Sequence, residues 1–211
     1  MSRTLIITAH VEHLNHVQLN FNEFDQIICA DGGFLIAEKL GLSPTILIGD
    51  YDSMELPDRA DFIKLPMEKD MTDTEAALDL AVNQGFDHIT ILGGLGGRFD
   101  HTMGNLGLLA KYCGKLKHLS FVDGQNHISM IGPGTIEISK NDYPYLGIIS
   151  YGGTATGVTL DGVKYPLKDF DLPDTTSLGV SNEITSSRAT ITLQTGKLLI
   201  ILSKDIDKQE K

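Results

Sequence analysis

Short apolar runs that end in glycine or polar residues are the feature of this sequence that most restricts its fold. Through residue 123 these runs alternate with segments of helical periodicity, namely Phe34–Leu40, Thr72–Gln84 and Thr102–Tyr112. Six runs read as strands, at residues 5–9, 26–30, 46–48, 62–65, 88–92 and 119–123. Short apolar runs are typical of buried parallel strands. Their alternation with helices predicts a mostly parallel sheet with helices on its faces.

The pattern changes after Asn126, where helical periodicity stops. The dipeptides Asp161-Gly162 and Thr195-Gly196 separate β-rich runs and are typical of β-hairpins. Leu198–Leu202 is apolar throughout, as in a strand covered on both faces. We therefore predict an α/β domain with a mostly parallel sheet at residues 1–126, followed by a small all-β domain at 127–211, either a sandwich or a partial barrel.

Composition excludes several classes of protein. The formal net charge of -11 argues against a general nucleic-acid binder, which needs a basic surface. Two cysteines, Cys29 and Cys113, are too few for a disulfide framework and fit a reducing compartment. We find no signal peptide, and no stretch approaches the roughly 20 apolar residues of a membrane span. We expect a soluble cytoplasmic protein with no membrane or nucleic-acid partner.

Acidic residues and glycines follow two of the predicted strands. Asp50 and Asp52 come directly after the run at 46–49, and Asp31-Gly32-Gly33 follows the run at 26–30. Ligands of open α/β sheets bind beyond the carboxyl ends of the strands. Two carboxylates separated by one residue can bind a hard divalent cation, although a solvated loop explains them as well. The paired glycines permit an anion to approach the helix start, or form a plain turn.

A third polar segment begins a predicted helix. Thr72 and Glu75 have the spacing of a capping box, so helix-start chemistry is an alternative account of Thr72 and Asp73 and the preferred account of Glu75. Asp73 is placed to face whatever Asp50 and Asp52 face. The sequence therefore predicts one group of three carboxylates at the carboxyl edge of the sheet.

The segment Gly93–His101 is the richest in functional side chains. Four glycines in five residues permit close backbone approach to a ligand, and Arg98 offers a planar fork to phosphate oxygens. Neither the P-loop pattern nor a dinucleotide fingerprint fits this spacing. Three histidines near the N-terminus, His10, His13 and His16, could also share one helix side, but they lack a carboxylate or cysteine that would complete a familiar metal-ligand set.

Taken in order, these motifs resemble the thiamine pyrophosphokinase family from Leu5 to about Leu202. The matching segments are Asp31-Gly32-Gly33, Gly49–Ser53, Asp70–Leu78, Gly93–His101 and Ser181-Asn182-Glu183. The resemblance implies an α/β ATP-binding catalytic domain followed by a β-sandwich domain for thiamine binding and dimerisation. It also implies Mg²⁺-dependent transfer of pyrophosphate from ATP to thiamine, giving thiamine diphosphate and AMP. Members of the family are homodimers that bind thiamine where the two subunits meet.

Electrostatics suggests roles for the acidic residues in such a reaction. Two unit charges 4 Å apart at an effective dielectric of 20 interact by about 4 kcal/mol, so carboxylates beside ATP require metal. We hypothesise that Asp50, Asp52 and Asp73 hold Mg²⁺ against the phosphates and that Arg98 binds phosphate oxygens. Asp100 completes the predicted catalytic set. It and Asp31 would line the same cleft, either ligating metal through water or orienting Arg98.

The remaining predicted site residues bind the two substrates. The predicted ATP-binding residues are Asp31, Gly32, Gly33, Thr72, Gly94, Gly96, Gly97, Arg98 and His101. His101 is either a general base for the thiamine hydroxyl or a structural histidine. By family analogy, Ser181 and Asn182 hydrogen-bond the aminopyrimidine of thiamine; the alternative for both is turn formation.

Two departures from the family pattern leave questions open. Tyr51 stands where the family usually has Phe, and the chain has no Trp, whereas some relatives place a Trp near the thiamine rings. The residue that covers thiamine here is therefore not identified by the sequence. Two other functions remain: a pyrophosphokinase or nucleotide hydrolase for another small substrate, and a non-catalytic sensor of thiamine or nucleotide.

Overall fold

The computed structural model describes residues 2–49, 61–64 and 70–206, which fall into two compact units. The first unit takes the described residues of 1–108 together with 116–124. The second unit takes those of 109–115 together with 125–211. The polypeptide thus changes unit in the region where the sequence pattern changes from alternating strands and helices to strands alone.

The first unit contains a six-stranded parallel sheet. Its strand order is β4-β3-β2-β1-β5-β6, with bounds β1 (Arg3–Ile7), β2 (Gln26–Ala30), β3 (Ile46–Gly49), β4 (Asp61–Lys64), β5 (His88–Leu92) and β6 (His118–Val122). Every neighbouring pair is parallel. The chain runs outwards from β1 to β4 and then returns to β5 on the other side of β1. The order therefore reverses between β1 and β5, which is where open α/β sheets bind ligands.

Burial explains why the apolar runs form this sheet. Leu5, Ile7 and Leu47 are fully buried, as the short apolar runs predicted. Cys29 is buried among them as a small core residue, and burial raises the pKa of its thiol to about 12. The parallel α/β prediction for this part of the chain is confirmed.

Three α-helices accompany the sheet: α1 (Gly33–Lys39), α2 (Asp73–Asn83) and α3 (Phe99–Tyr112). Helix α2 begins as the capping-box spacing predicted, because the Thr72 hydroxyl accepts a hydrogen bond from the Glu75 N–H at 3.2 Å. The predicted start of α3 at Thr102 is wrong by one turn. Asp100 lies in the first turn, where a carboxylate is favoured by the helix dipole. Within the described ranges, no helix is long and apolar enough to cross a membrane.

The second unit contains two antiparallel arrays of strands. One has the order β7-β13-β9 and the other β11-β10-β12-β8. The bounds are β7 (Asn126–Ile131), β8 (Gly134–Ser139), β9 (Tyr145–Ser150), β10 (Ala155–Asp161), β11 (Leu167–Leu172), β12 (Arg188–Leu193) and β13 (Leu198–Ser203). Ile148 and Ile200 from the first array share one buried cluster with Val158 and Ile191 from the second. The unit is therefore a β-sandwich rather than a partial barrel.

One of the two predicted hairpins is present and the other is wrong. Asp161-Gly162 leads from β10 to β11, which pair in antiparallel fashion. Thr195-Gly196 joins β12, which pairs with β8 and β10, to β13, which pairs with β7 and β9. Gly196 has the positive φ of a turn, +94°, but this turn carries the chain from one sheet to the other. A turn dipeptide fixes the local backbone, whereas packing of the two sheets decides which strands pair.

Candidate functional site

A cleft of about 410 Å³ lies at the carboxyl ends of β1, β2 and β5, where the strand order reverses. The first turns of α2 and α3 complete its walls. The described residues that line it are Thr8, Ala9, His10, Ala30, Asp31, Thr72, Asp73, Thr74, Gly94, Gly96, Gly97, Arg98, His101 and Asn105. Eight of the predicted site residues are therefore brought to one cleft: Asp31, Thr72, Asp73, Gly94, Gly96, Gly97, Arg98 and His101.

A smaller cavity of about 170 Å³ adjoins this cleft and shares Thr72, His101 and Asn105 with it. Asp100 lines the smaller cavity.

Gly32 and Gly33 lie beside the cleft rather than among the described residues that line it. A Cβ atom at Gly33 would lie 2.0 Å from the carbonyl oxygen of Ile7, which is far inside van der Waals contact. Gly33 thus allows the start of α1 to pack directly on the backbone of β1. The structure gives this glycine a packing role, and its predicted contact with ATP stays a prediction.

The predicted metal site is described only in part. Asp50 and Asp52 lie outside the described residues, whereas Asp73 begins α2 and lines the cleft. Among the described residues, no group of three or more His, Cys, Asp or Glu side chains is arranged to hold a metal ion. Of the three N-terminal histidines, His13 and His16 form an edge-to-face pair with ring centroids 6.3 Å apart, and His10 lines the cleft.

The glycine-rich segment is held in place by β1 and α3. Gly93 has φ +90°, and a Cβ atom there would lie 2.2 Å from the carbonyl oxygen of His10. On the other side, Asn105 Nδ2 donates to the Gly94 carbonyl at 2.6 Å. Thr102 Oγ1 donates to the Gly96 carbonyl at 3.3 Å. Two carbonyl oxygens of the loop are thereby bound by protein groups, so the loop meets a ligand in a fixed conformation.

Arg98 is oriented by a neighbouring carboxylate. Its Nε donates to Asp100 Oδ1 at 3.2 Å and a terminal nitrogen donates to Oδ2 at 2.5 Å, in a fork-to-fork arrangement. Asp100 Oδ1 also accepts the His101 N–H at 3.0 Å. The hydrogen bonds from Arg98, and then that from His101, hold the pKa of Asp100 below its usual range. This geometry favours the interpretation that Asp100 orients Arg98 over the interpretation that it ligates metal.

Sequence reasoning missed several residues that line the cleft, of which His10 and Asn105 carry the most chemistry. Asn105 is 5% exposed and anchors the glycine-rich loop. Its signal in the sequence is the three-residue spacing from Thr102 on α3, which places both side chains on the same helix face. In the sequence His10 stands out only as one of three neighbouring histidines, although its position directly after the first strand marks it as a strand-end residue.

Asn182, in the second unit, is buried and hydrogen-bonded to the backbone. Its Oδ1 accepts the N–H groups of Tyr165 at 3.0 Å and Glu183 at 2.9 Å, and its Nδ2 donates to the Tyr165 carbonyl at 2.8 Å. Asn182 as a whole residue is 4% exposed, whereas Tyr165 is 59% exposed. Ser181, the residue before it, has a positive φ of +57°, as in a turn. Asn182 therefore fixes the position of Tyr165.

Comparisons with known proteins agree with this arrangement. The family model described as "Thiamin pyrophosphokinase, catalytic domain" matches residues 17–120, and that described as "Thiamin pyrophosphokinase, vitamin B1 binding domain" matches residues 134–199. Thiamine pyrophosphokinase of Bacillus subtilis is 35% identical over 186 residues, covering 84% of this chain and 87% of the relative.

Solved structures extend the similarity to nearly the whole fold. The crystal structure of thiamine pyrophosphokinase from Bacillus subtilis aligns with a TM-score of 0.86 and 32% identity, covering 97% of this chain and 100% of the other. A thiamin pyrophosphokinase family protein from Enterococcus faecalis aligns with a TM-score of 0.88 and 29% identity, with the same coverage of 97% and 100%. By its domains, its cleft and its relatives, this chain belongs to the thiamine pyrophosphokinase family.

Proposed function

We propose that this chain transfers the pyrophosphoryl group of ATP to the hydroxyethyl oxygen of thiamine, giving thiamine diphosphate and AMP. The observation that carries the proposal is the cleft at the strand-order reversal, where Arg98, the glycine-rich loop and Asp73 meet. This constellation suits a polyphosphate ligand, and the relatives that cover most of the chain are thiamine pyrophosphokinases.

The chemistry requires positioning more than covalent help. The thiamine oxygen attacks the β-phosphorus, the bond from that phosphorus to the oxygen bridging to the α-phosphorus breaks, and AMP leaves. Phosphoryl transfer of this kind has a loose transition state whose charge must be stabilised. Arg98, held by Asp100, donates to phosphate oxygens, and the glycine-rich loop allows the nucleotide to lie against the backbone. His101, which lines the cleft, is our proposed acceptor for the hydroxyl proton.

Magnesium fits the donor chemistry of this cleft. Mg²⁺ usually binds through one or two carboxylates together with substrate phosphates, and the carboxylates of Asp31 and Asp73 line the cleft beside Arg98. We propose that Asp73, with Asp50 and Asp52, holds the ion. When bound, it neutralises phosphate charge that three carboxylates would otherwise repel.

We also propose a homodimer, formed through the second unit, with thiamine at the junction. In support of this, Tyr165, Leu178 and Val180 of the second unit are 59%, 53% and 50% exposed. Tyr165 is hydrogen-bonded to Asn182, and the other two residues lie within four residues of Asn182 in the sequence. Exposed apolar side chains of this size are typical of interaction surfaces.

Two free thiols fit a reducing compartment, so we propose a cytoplasmic enzyme. The net charge of -11 argues against a nucleic-acid partner.

The test is AMP release from ATP and Mg²⁺, with and without thiamine, while thiamine diphosphate is followed by chromatography. We expect AMP and thiamine diphosphate in equal amounts and only when thiamine is present. AMP release that does not depend on thiamine would indicate a hydrolase or another acceptor. Binding of both ligands without turnover would indicate a sensor.

The metal hypothesis has its own variant. Asp52→Asn should lower turnover at least about a hundredfold, roughly 2.7 kcal/mol of transition-state stabilisation, because it removes a carboxylate from the ion. The control is Asp142→Asn, which changes an exposed carboxylate in the second unit and should leave turnover unchanged. Near-normal turnover of Asp52→Asn, in a protein with unchanged urea stability, would remove Asp52 from the metal site.

A further inference from the structure

The segment Thr8–His13, which follows β1, forms the wall on which the glycine-rich loop rests. The Gly94 N–H donates to the His10 carbonyl at 3.1 Å, and the Gly124 N–H donates to the Glu12 carbonyl at 2.9 Å. Thr8 Oγ1 also donates towards the His10 carbonyl, at 3.2 Å. The catalytic-domain family model begins its match at residue 17, so this wall precedes the matched range.

Glu12 connects this segment to the glycine-rich loop through its side chain. Its Oε1 lies 3.0 Å from His10 Nε2. A Cβ atom at Gly96 would lie 2.5 Å from Glu12 Cγ, so the side chain packs directly against the loop. The hydrogen bond from His10 holds the pKa of Glu12 below its usual range. Glu12 is therefore an anionic acceptor that contacts both His10 and the glycine-rich loop.

His10 occupies a place where a phosphate would be within reach. Its imidazole lines the cleft and lies 3.3 Å from the position that a Cβ atom of Gly97 would take, one residue before Arg98. A carboxylate accepts from Nε2, so Nε2 carries its proton and Nδ1 is the remaining polar atom of the ring. In the imidazolium form, Nδ1 is also a donor.

The charge balance of the cleft calls for such a donor. Among the described residues that line the cleft, Arg98 is the single lysine or arginine, against Asp31 and Asp73. The Arg98 guanidinium is itself bonded to Asp100. A triphosphate entering this cleft therefore meets few positive charges on the described residues, and an imidazolium beside Arg98 would add one.

We propose that His10 is a further nucleotide-binding residue, whose imidazolium donates from Nδ1 to a phosphate oxygen of ATP, and that Glu12 is the residue that positions it. The proposal rests on the proposed function only in taking a nucleoside triphosphate as the ligand. Glu12 holds the ring at the cleft wall and packs against Gly96, so one side chain contacts both the imidazole and the loop.

The experiment measures the dissociation constant of ATP with Mg²⁺, without thiamine, by titration calorimetry. His10→Gln should weaken binding about tenfold, as expected for loss of a hydrogen bond between charged partners. His10→Lys, which restores a cation, should recover most of the affinity. The matched control is His16→Gln, which removes an imidazole six residues further along the chain that does not line the cleft, and it should bind ATP as the unchanged chain does.

Glu12 is tested by two variants that differ in one property. Glu12→Gln keeps an acceptor for His10 and should retain most of the affinity, whereas Glu12→Ala should weaken ATP binding as much as His10→Gln does. A Glu12→Ala chain that binds ATP normally would overturn the positioning role.

Two results would overturn the role of His10: unchanged affinity in His10→Gln, or equal losses in His10→Gln and His10→Lys. Failure of the proposed function is distinguishable from these results. A chain that binds ATP through His10 but makes no thiamine diphosphate loses the transfer proposal and keeps this one. If turnover depends on thiamine but His10→Gln binds ATP normally, the transfer proposal stands and the role of His10 is lost.

Discussion

Replacing Asn182 by alanine should expose how the second unit supports thiamine binding. The substitution removes three hydrogen bonds made by the Asn182 side chain to backbone groups of Tyr165 and Glu183. The backbone bonds between Asn182 and Leu146 do not involve the side chain and remain. The change therefore acts on the segment around Tyr165 rather than on the strand pairing nearby.

The magnitude follows from burial. Asn182 is 4% exposed, so water does not readily replace the amide at Tyr165 N–H and C=O. Each hydrogen bond contributes about 1 kcal/mol net, and an unsatisfied buried group costs about 1–3 kcal/mol. We expect Asn182→Ala to lower the free energy of unfolding by about 3 kcal/mol.

Asn141 offers a matched control in the same unit. Its Nδ2 donates to the Ser139 carbonyl at 3.0 Å and its Oδ1 accepts the Tyr143 N–H at 2.9 Å, but the residue is exposed. Water can satisfy these groups after Asn141→Ala, so the cost should stay below about 1 kcal/mol. Urea unfolding of both variants gives the comparison.

The functional readout is the KM of each substrate. If Asn182 fixes Tyr165 beside thiamine, Asn182→Ala should raise the KM for thiamine more than the KM for ATP. Equal changes in the two KM values would show that Asn182 does not serve the thiamine site. A stability loss no larger than that of Asn141→Ala would refute the burial argument itself.

Three other experiments test packing, capping and charge. Gly33→Ala should destabilise the chain by about 3 kcal/mol or more in urea, because its Cβ would lie 2.0 Å from a backbone oxygen; Gly104→Ala, on α3 with nothing within 4 Å, should stabilise by about 0.5–1 kcal/mol. Thr72→Ala should cost about 1 kcal/mol of stability and Thr72→Ser little, since only the former loses the cap on α2. The pKa of His118 is lowered mainly by burial and to a smaller extent by the neighbouring His88 and Arg3. Folding therefore disfavours its charged form, so stability is full above the unfolded-chain pKa of about 6.5 and falls as pH drops through the lower folded pKa. His118→Gln should flatten that fall in urea titrations, and an unchanged slope would contradict the assignment.

The parallel sheet was predictable because each strand carries its own apolar signal. The strands ending at Ile7, Ala30 and Leu92 are buried at every position after the first, so apolar residues occur on both faces rather than only at alternate positions. The hairpin prediction failed because a turn signal in the sequence does not determine which distant strands pair. Thr195-Gly196 encodes a turn, yet which strands pair across it depends on the packing of two sheets.

The candidate site divides in the same way. Arg98 and Asp73 were predicted because they belong to short motifs at strand ends and helix starts. His10 and Asn105 were missed because each is a single polar residue whose role depends on a distant partner. Ile7 of β1 lies opposite Leu92 of β5 in the parallel register, and only this pairing brings the residue at position 10 against the glycine-rich loop.

The glycine content of that loop has a cause beyond ligand approach. A Cβ atom at Gly94 would lie 2.7 Å from Asn105 Nδ2, and one at Gly96 would lie 2.5 Å from Glu12 Cγ. Both contacts are with groups of the protein, so a side chain at either position would displace the loop's own supports before it met any nucleotide. The glycines therefore make room for Asn105 and Glu12, the side chains that support the loop. Replacing one of these glycines, or removing one of these side chains, should disturb the loop that carries Arg98.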